Sequence, residues 1–135
     1  MYPLDTEEDM PRTVASTDRA PAPVGAYSQA VIVEPFVFVA GQGPADPATR
    51  TIPTGIEAQT NAVMRNVDAI LRAAGSSLDE VVKVNVHLAD VAEFAAFDAA
   101  YASHFAAPYP ARTTVGSQLS GIRVEIDVVA RRVAA

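Results

Sequence analysis

The chain has no cysteine, which excludes disulfides, thiol nucleophiles and thiolate metal sites and leaves the redox compartment open. It has no cluster of basic residues interleaved with aromatics, and its 10 Lys and Arg against 16 Asp and Glu give a formal net charge of −6. A phosphate backbone is repelled by that balance, so nucleic acid is not an expected partner. No apolar run approaches the roughly 20 residues of a membrane-spanning helix, so no membrane partner is expected either. The N-terminal stretch MYPLDTEEDM lacks the basic and apolar regions of a secretory signal, and the expected address is the cytoplasm. His87 and His104 are far apart and show no HxxxH-type spacing, so they read as surface or packing residues and no metal site is expected. Ser28 has no histidine near it in sequence, and nothing resembles a nucleophile elbow. The two glycines of GQGPAD are followed by Pro-Ala-Asp-Pro, which cannot open the helix that a phosphate-binding loop requires.

What is present fits one globular domain. At 135 residues, 50% of them hydrophobic and 19% charged, the chain is long enough to bury a core without staples. Its lightly charged surface is consistent with part of that surface being hidden in an oligomer. Asp5, Glu7, Glu8 and Asp9 lie together without a basic residue, which predicts a flexible acidic tail over 1–11 and a single domain over 12–135.

Strands are expected near 12–15, 30–33 and 36–40, the last two forming a hairpin about Glu34-Pro35. Ile56, Val63, Val67, Ile70, Leu71 and Ala74 recur at helical spacing, with Thr54 and Glu57 at capping-box spacing and Gly75 as a left-handed stop. Val82, Val84, Val86 and Leu88 alternate with Lys83, Asn85 and His87 as a strand with one apolar face. Asp90 and Glu93 repeat the capping-box spacing before a helix bearing Phe94, Phe97, Tyr101 and Phe105 on one stripe. Two more strands, holding Arg112 and Glu125, end the chain. The order predicts an α+β fold of two layers, an about six-stranded mixed sheet with two helices on one face.

Arg112 and Glu125 are the candidate catalytic residues. In the last strand Val124, Ile126 and Val128 share one face and Glu125 the other; with Val115 taken as core-facing, Arg112, Thr114 and Gly116 fall on the Glu125 face, away from the helices. A planar guanidinium among small hydroxyl residues suits a substrate carboxylate, and a glutamate among valines and isoleucines suits acid–base work. A structural ion pair of Arg112 with Glu125 or Asp127 is the competing reading, as is a solvent-facing Glu125.

PVGAYSQA at 23–30, VFVAGQGPADP at 37–47, IEAQTNAVMRNVDAIL at 56–71, AAGSSLDEVVKVNVHLADVAEF at 73–94, YPAR at 109–112 and VEIDVVA at 124–130 resemble, in order, the RidA (YjgF-type) family. The resemblance implies a chorismate-mutase-like homotrimer with sites in clefts between subunits and no metal or organic cofactor. It implies hydrolysis of reactive 2-imino and 2-enamino acids, such as 2-aminoacrylate and 2-iminopropanoate, to 2-keto acids and ammonia. By the same resemblance Arg112 grips the substrate carboxylate and Glu125 positions or activates water. Tyr27, Gly41 and Gln42 line the pocket, and Thr114 meets substrate through its backbone. The sequence departs from the family at Thr114 (usually cysteine), at Asp98 (usually asparagine), at Gly43 (usually larger and apolar) and in the shortened turn after Val115. These departures predict a reshaped, roomier pocket. They keep in view a pathway-specific deaminase of a larger imine or aminomuconate-like acid, and a non-catalytic ligand-binding or chaperone-like member.

Overall fold

The computed structural model describes residues 11–133; residues 1–10, on which the expectation of an acidic tail falls, lie outside that range. Six strands, β1 (Thr13–Ala15), β2 (Ala30–Val33), β3 (Phe36–Gln42), β4 (Val81–Leu88), β5 (Ala111–Gly116) and β6 (Val124–Arg131), and two helices, α1 (Ile56–Ala73) and α2 (Phe94–Ala102), follow one another as the residue pattern predicts. They form one mixed sheet in the order β1-β2-β3-β6-β4-β5. Only β4 and β5 run parallel. The helices cover one face, so this is the two-layer α+β fold.

The core lies between the layers. Val63, Val67, Ile70 and Leu71 of α1 are fully buried against Val37, Val84, Val86, Leu88, Val124 and Ile126 of the sheet, each worth roughly 1.5–3 kcal/mol by removal from water. At its end α1 stops as expected at Gly75, whose φ of 79° is costly for any residue with a Cβ. Its start differs. Gly55, at φ 92°, occupies the N-cap, and no side chain caps the first turn, because the turn at Gly55 displaces Thr54 from the capping position. Before α2 the expected box forms by half: Asp90 accepts from the Ala92 amide at 2.9 Å, while Glu93 pairs instead with Arg123 at 2.6 Å.

Two parity expectations are corrected. Val82 is 45% exposed because the β4–β6 register shifts between Val81 and Lys83, and a bulge there turns one residue outward. The second concerns Arg112. In-register partners on neighbouring strands share a face. Val84 pairs with Arg112, Val86 with Thr114 and Leu88 with Gly116, so these β5 residues lie on the helix-covered face and Val115, 43% exposed, points away from it. On an edge strand a single valine carries little obligation to be buried, and the aromatic stripe of α2 accommodates the arginine in its place.

On the uncovered face a polar row crosses β6, β4 and β5. Asn85 donates to Asp127 at 2.9 Å, Lys83 to Thr113 at 2.8 Å, and His87 shares a 2.6 Å hydrogen bond with Ser117. Val14, Phe36 and Phe38 stand exposed toward the other edge of that face.

Candidate active site

The sheet separates the expected site residues into two clefts. Arg112 belongs to one, and Tyr27, Gly41 and Glu125 to the other, while Thr114 shares the Arg112 face of β5 without lining its cleft; within a single chain Arg112 and Glu125 lie on opposite faces and do not meet.

The first cleft is a cavity of about 380 Å³ lined by Asp98, Tyr101, Ala102, Tyr109, Pro110 and Arg112. Strand β5 delivers Arg112 beneath α2, where its guanidinium carbon lies 5.4, 5.6 and 4.8 Å from the ring centres of Phe94, Phe97 and Tyr101. The negative ring faces favour a cation there. Asp98 on α2 accepts from Arg112 Nη1 at 2.7 Å. The ion pair considered from sequence therefore exists, but its partner is Asp98 and not Glu125 or Asp127. Tyr101 is buried and its hydroxyl has no hydrogen-bond partner among the described residues. Burial pushes its phenol above the usual range, against the opposing pull of the Arg112 charge, so it stays a neutral donor. Thr114 Oγ1 is likewise buried without a partner.

The second cleft, of about 390 Å³, is lined by Tyr27, Ala40, Gly41, Gly43 and Glu125. The β3–β6 register shifts between Val39 and Gln42, which brings the Gly41 backbone against the Glu125 side chain. A Cβ on Gly41 would collide with Glu125 Oε1 and reach within 3.0 Å of its Cδ, so glycine is required for the carboxylate to lie where it does. Gln42 is buried and its amide donates to the Ala40 oxygen at 3.1 Å, so its side chain is turned onto the bulge and does not line the cleft. Tyr27, 47% exposed, stands on the loop after β1, with its hydroxyl accepting from the Val24 amide at 3.2 Å. At Gly43 the turn brings Ile122 Cδ1 3.3 Å from where a Cβ would stand, so a larger residue there would need the Ile122 side chain to give way.

Sequence reasoning missed the residues that hold these loops. Gln29 is buried, accepts from the Thr17 amide at 2.7 Å and donates to the oxygens of Thr17 and Pro21 at 3.0 and 2.9 Å, fixing the loop that carries Tyr27. Asn66 on α1 donates to the oxygens of Gly43 and Ala45 at 2.9 and 3.0 Å, and Gln59 accepts from the Arg123 amide at 2.8 Å. Such polar side chains on otherwise apolar faces are the available signal, since buried amides are kept where loop backbone needs partners. His104, bonded to Asn61 at 2.8 Å, stands outside both clefts, and His87 lines neither. No three His, Cys, Asp or Glu side chains among the described residues are grouped to hold a metal ion. No helix among the described residues is long and apolar enough to cross a membrane.

The chain thus has a two-layer α+β fold with a guanidinium cleft on one sheet face and a carboxylate cleft on the other. The profile of the family described as Endoribonuclease L-PSP matches residues 17–132. A RutC family protein of Pyrococcus abyssi is 44% identical over 124 residues, covering 90% of this chain and 98% of that one. A 2-iminobutanoate/2-iminopropanoate deaminase of Capra hircus is 38% identical over 122 residues, covering 88% and 89%. The crystal structure of RidA from an Antarctic Psychrobacter species superposes with a TM-score of 0.85 at 40% identity, covering 88% and 98%. The chain belongs to the RidA (YjgF) family and has its chorismate-mutase-like fold.

Proposed function

We propose that the protein is a hydrolytic deaminase of 2-imino and 2-enamino acids, working as a homotrimer in which the Arg112 cleft of one copy faces the Glu125 cleft of the next. The observation that carries this reading is Arg112: a fixed guanidinium, with Asp98 as its one hydrogen-bond partner among the described residues, at the wall of a cavity suited to a small carboxylate. Relatives named as 2-iminobutanoate/2-iminopropanoate deaminases support the reaction class. A site divided between two sheet faces supports its assembly from two copies, because one copy alone cannot bring Arg112 and Glu125 to one substrate.

In this reading the substrate carboxylate pairs with Arg112, and the Thr114 and Gly41 backbones and Tyr27 border the reacting carbon. Gln42 acts on the site by holding the bulge at Gly41. Water held at Glu125 adds to the iminium carbon; the C–N bond then breaks and a C=O bond forms. The iminium and water become a keto acid and ammonium, with Glu125 relaying protons. Imine hydrolysis is easy chemistry, so positioning and proton transfer suffice, without a metal or organic cofactor.

Semicarbazide-trapping kinetics on enzymatically generated 2-aminoacrylate test this. Wild type should accelerate keto-acid formation, and Arg112→Ala should lower kcat/KM by roughly 10- to 150-fold, the loss of a charged hydrogen-bonding contact. Absence of acceleration by wild type, or an Arg112→Ala variant as active as wild type, ends the assignment. Mixing the impaired Arg112→Ala and Glu125→Gln chains and letting them exchange tests the shared site. Recovered activity is expected, whereas a site within one chain recovers none.

A further inference from the structure

Arg112 does not present a bare positive charge to its cavity. Asp98 accepts from its Nη1 at 2.7 Å, and the Asp98 side chain is the outer member of the pair, 46% exposed against 21% for Arg112. Both line the cavity together with Tyr101, whose buried hydroxyl finds no partner among the described residues. A guanidinium has five N–H donors in a rigid fork, so Arg112 retains donors for a ligand. The cavity therefore offers a positive and donor-rich side, Arg112 with the Tyr101 hydroxyl, beside a negative one, Asp98.

A ligand carrying only a carboxylate satisfies the first side but brings a second negative charge next to Asp98, in a partly desolvated site where like charges repel strongly. A ligand with a positive nitrogen on the carbon beside its carboxylate meets both sides. Its carboxylate faces Arg112 and Tyr101, and its nitrogen donates to the carboxylate of Asp98. We propose that Asp98 is a specificity-determining residue that makes this cavity select zwitterionic 2-imino and 2-amino acids over 2-keto acids. The inference rests on the reading of Arg112 as a carboxylate grip. It adds a direction to turnover: the substrate iminium plus water yields ammonium and a keto acid, and the keto acid, having lost the positive nitrogen, faces Asp98 unpaired and leaves.

L-Alanine and pyruvate share a methyl and a carboxylate and differ at the carbon that bears the nitrogen. Titration calorimetry at pH 7 on the full chain, with these two compounds as probes, should show wild type preferring alanine. Asp98→Asn keeps the shape and removes the charge, and should shift the ratio of the two Kd values toward pyruvate by ~10-fold or more, mostly by tighter pyruvate binding. Asp98→Glu should retain a preference for alanine, a distinction that a merely structural role for Asp98 would not produce. An unchanged ratio in Asp98→Asn, with both probes still lost in Arg112→Ala, overturns the selection while leaving the carboxylate grip standing. Failure of alanine to bind wild type, or alanine binding unaffected by Arg112→Ala, overturns the grip and the selection together.

Discussion

The Arg112 cleft is walled by side chains of a helix, whereas the Glu125 cleft is walled largely by the backbone of a bulged strand. Arg112 is held by three aromatic rings and a carboxylate, two of those rings belonging to the buried Phe97 and Tyr101. Its position can change only with the core. Glu125 rests against Gly41 and reaches the cleft with the end of a flexible side chain. In the proposed reaction the charge that grips the ligand is thus built into the packing, and the one that handles water and protons stands where small movements cost little. The first should fail through stability and affinity, the second through turnover.

Truncation of Phe97 tests the first half of that contrast and carries the largest expected effect. Its ring is fully buried, touches the rings of Phe94 and Tyr101 at centroid distances of 6.3 and 5.5 Å, and forms part of the wall behind Arg112. Phe97→Ala should lose about 3–5 kcal/mol in urea unfolding, with pyruvate affinity falling as well. A loss below about 1 kcal/mol would show that the grip is independent of the core.

Gly41→Ala should do the reverse. The added Cβ meets the end of Glu125 and not a rigid backbone, so the side chain swings aside and unfolding stability changes by less than about 1 kcal/mol. Misplacing the carboxylate by an ångström should lower kcat by roughly 10- to 100-fold. Pyruvate affinity should fall less than kcat, because the guanidinium that pairs with the carboxylate is left in place. Equal losses in kcat and pyruvate affinity would mean that the two clefts are not separable.

Most of the scaffold was legible in the residue pattern, and the face of the key arginine was not. The stripe of Val63, Val67, Ile70 and Leu71 defines α1 because a helix must bury one side, and the alternation through Val124, Ile126 and Val128 defines β6 by the same necessity. Val115 supplied one apolar residue on an edge strand, where burial is optional, and a parity drawn from it placed Arg112 on the wrong face. Bulges defeated alternation at Val82, and Gly55 displaced the cap expected from Thr54. The Arg112–Asp98 pair joins a helix to a strand beyond an irregular loop, so no local spacing announces it. Gln29, Asn66 and Gln59 act on loop backbone far from themselves in sequence, and their polarity alone did not say which loop each would hold.

Thr114 carries the smallest expected effect and distinguishes two ways in which the Arg112 cleft could meet its ligand. Its Oγ1 is buried and unpaired among the described residues, on the same face of β5 as Arg112. Thr114→Val keeps the shape and removes that hydroxyl. A buried polar group without a partner costs folding free energy, so the variant should match wild type or exceed it by up to about 1 kcal/mol in unfolding. If the ligand meets this strand through backbone, as proposed for Thr114, pyruvate affinity stays within about twofold. A loss of roughly tenfold, the size of a deleted hydrogen bond to a charged group, would instead make the hydroxyl the contact. The combination expected is equal or higher stability with unchanged affinity, because an oxygen that paired with ligand would leave its mark on binding and not on folding.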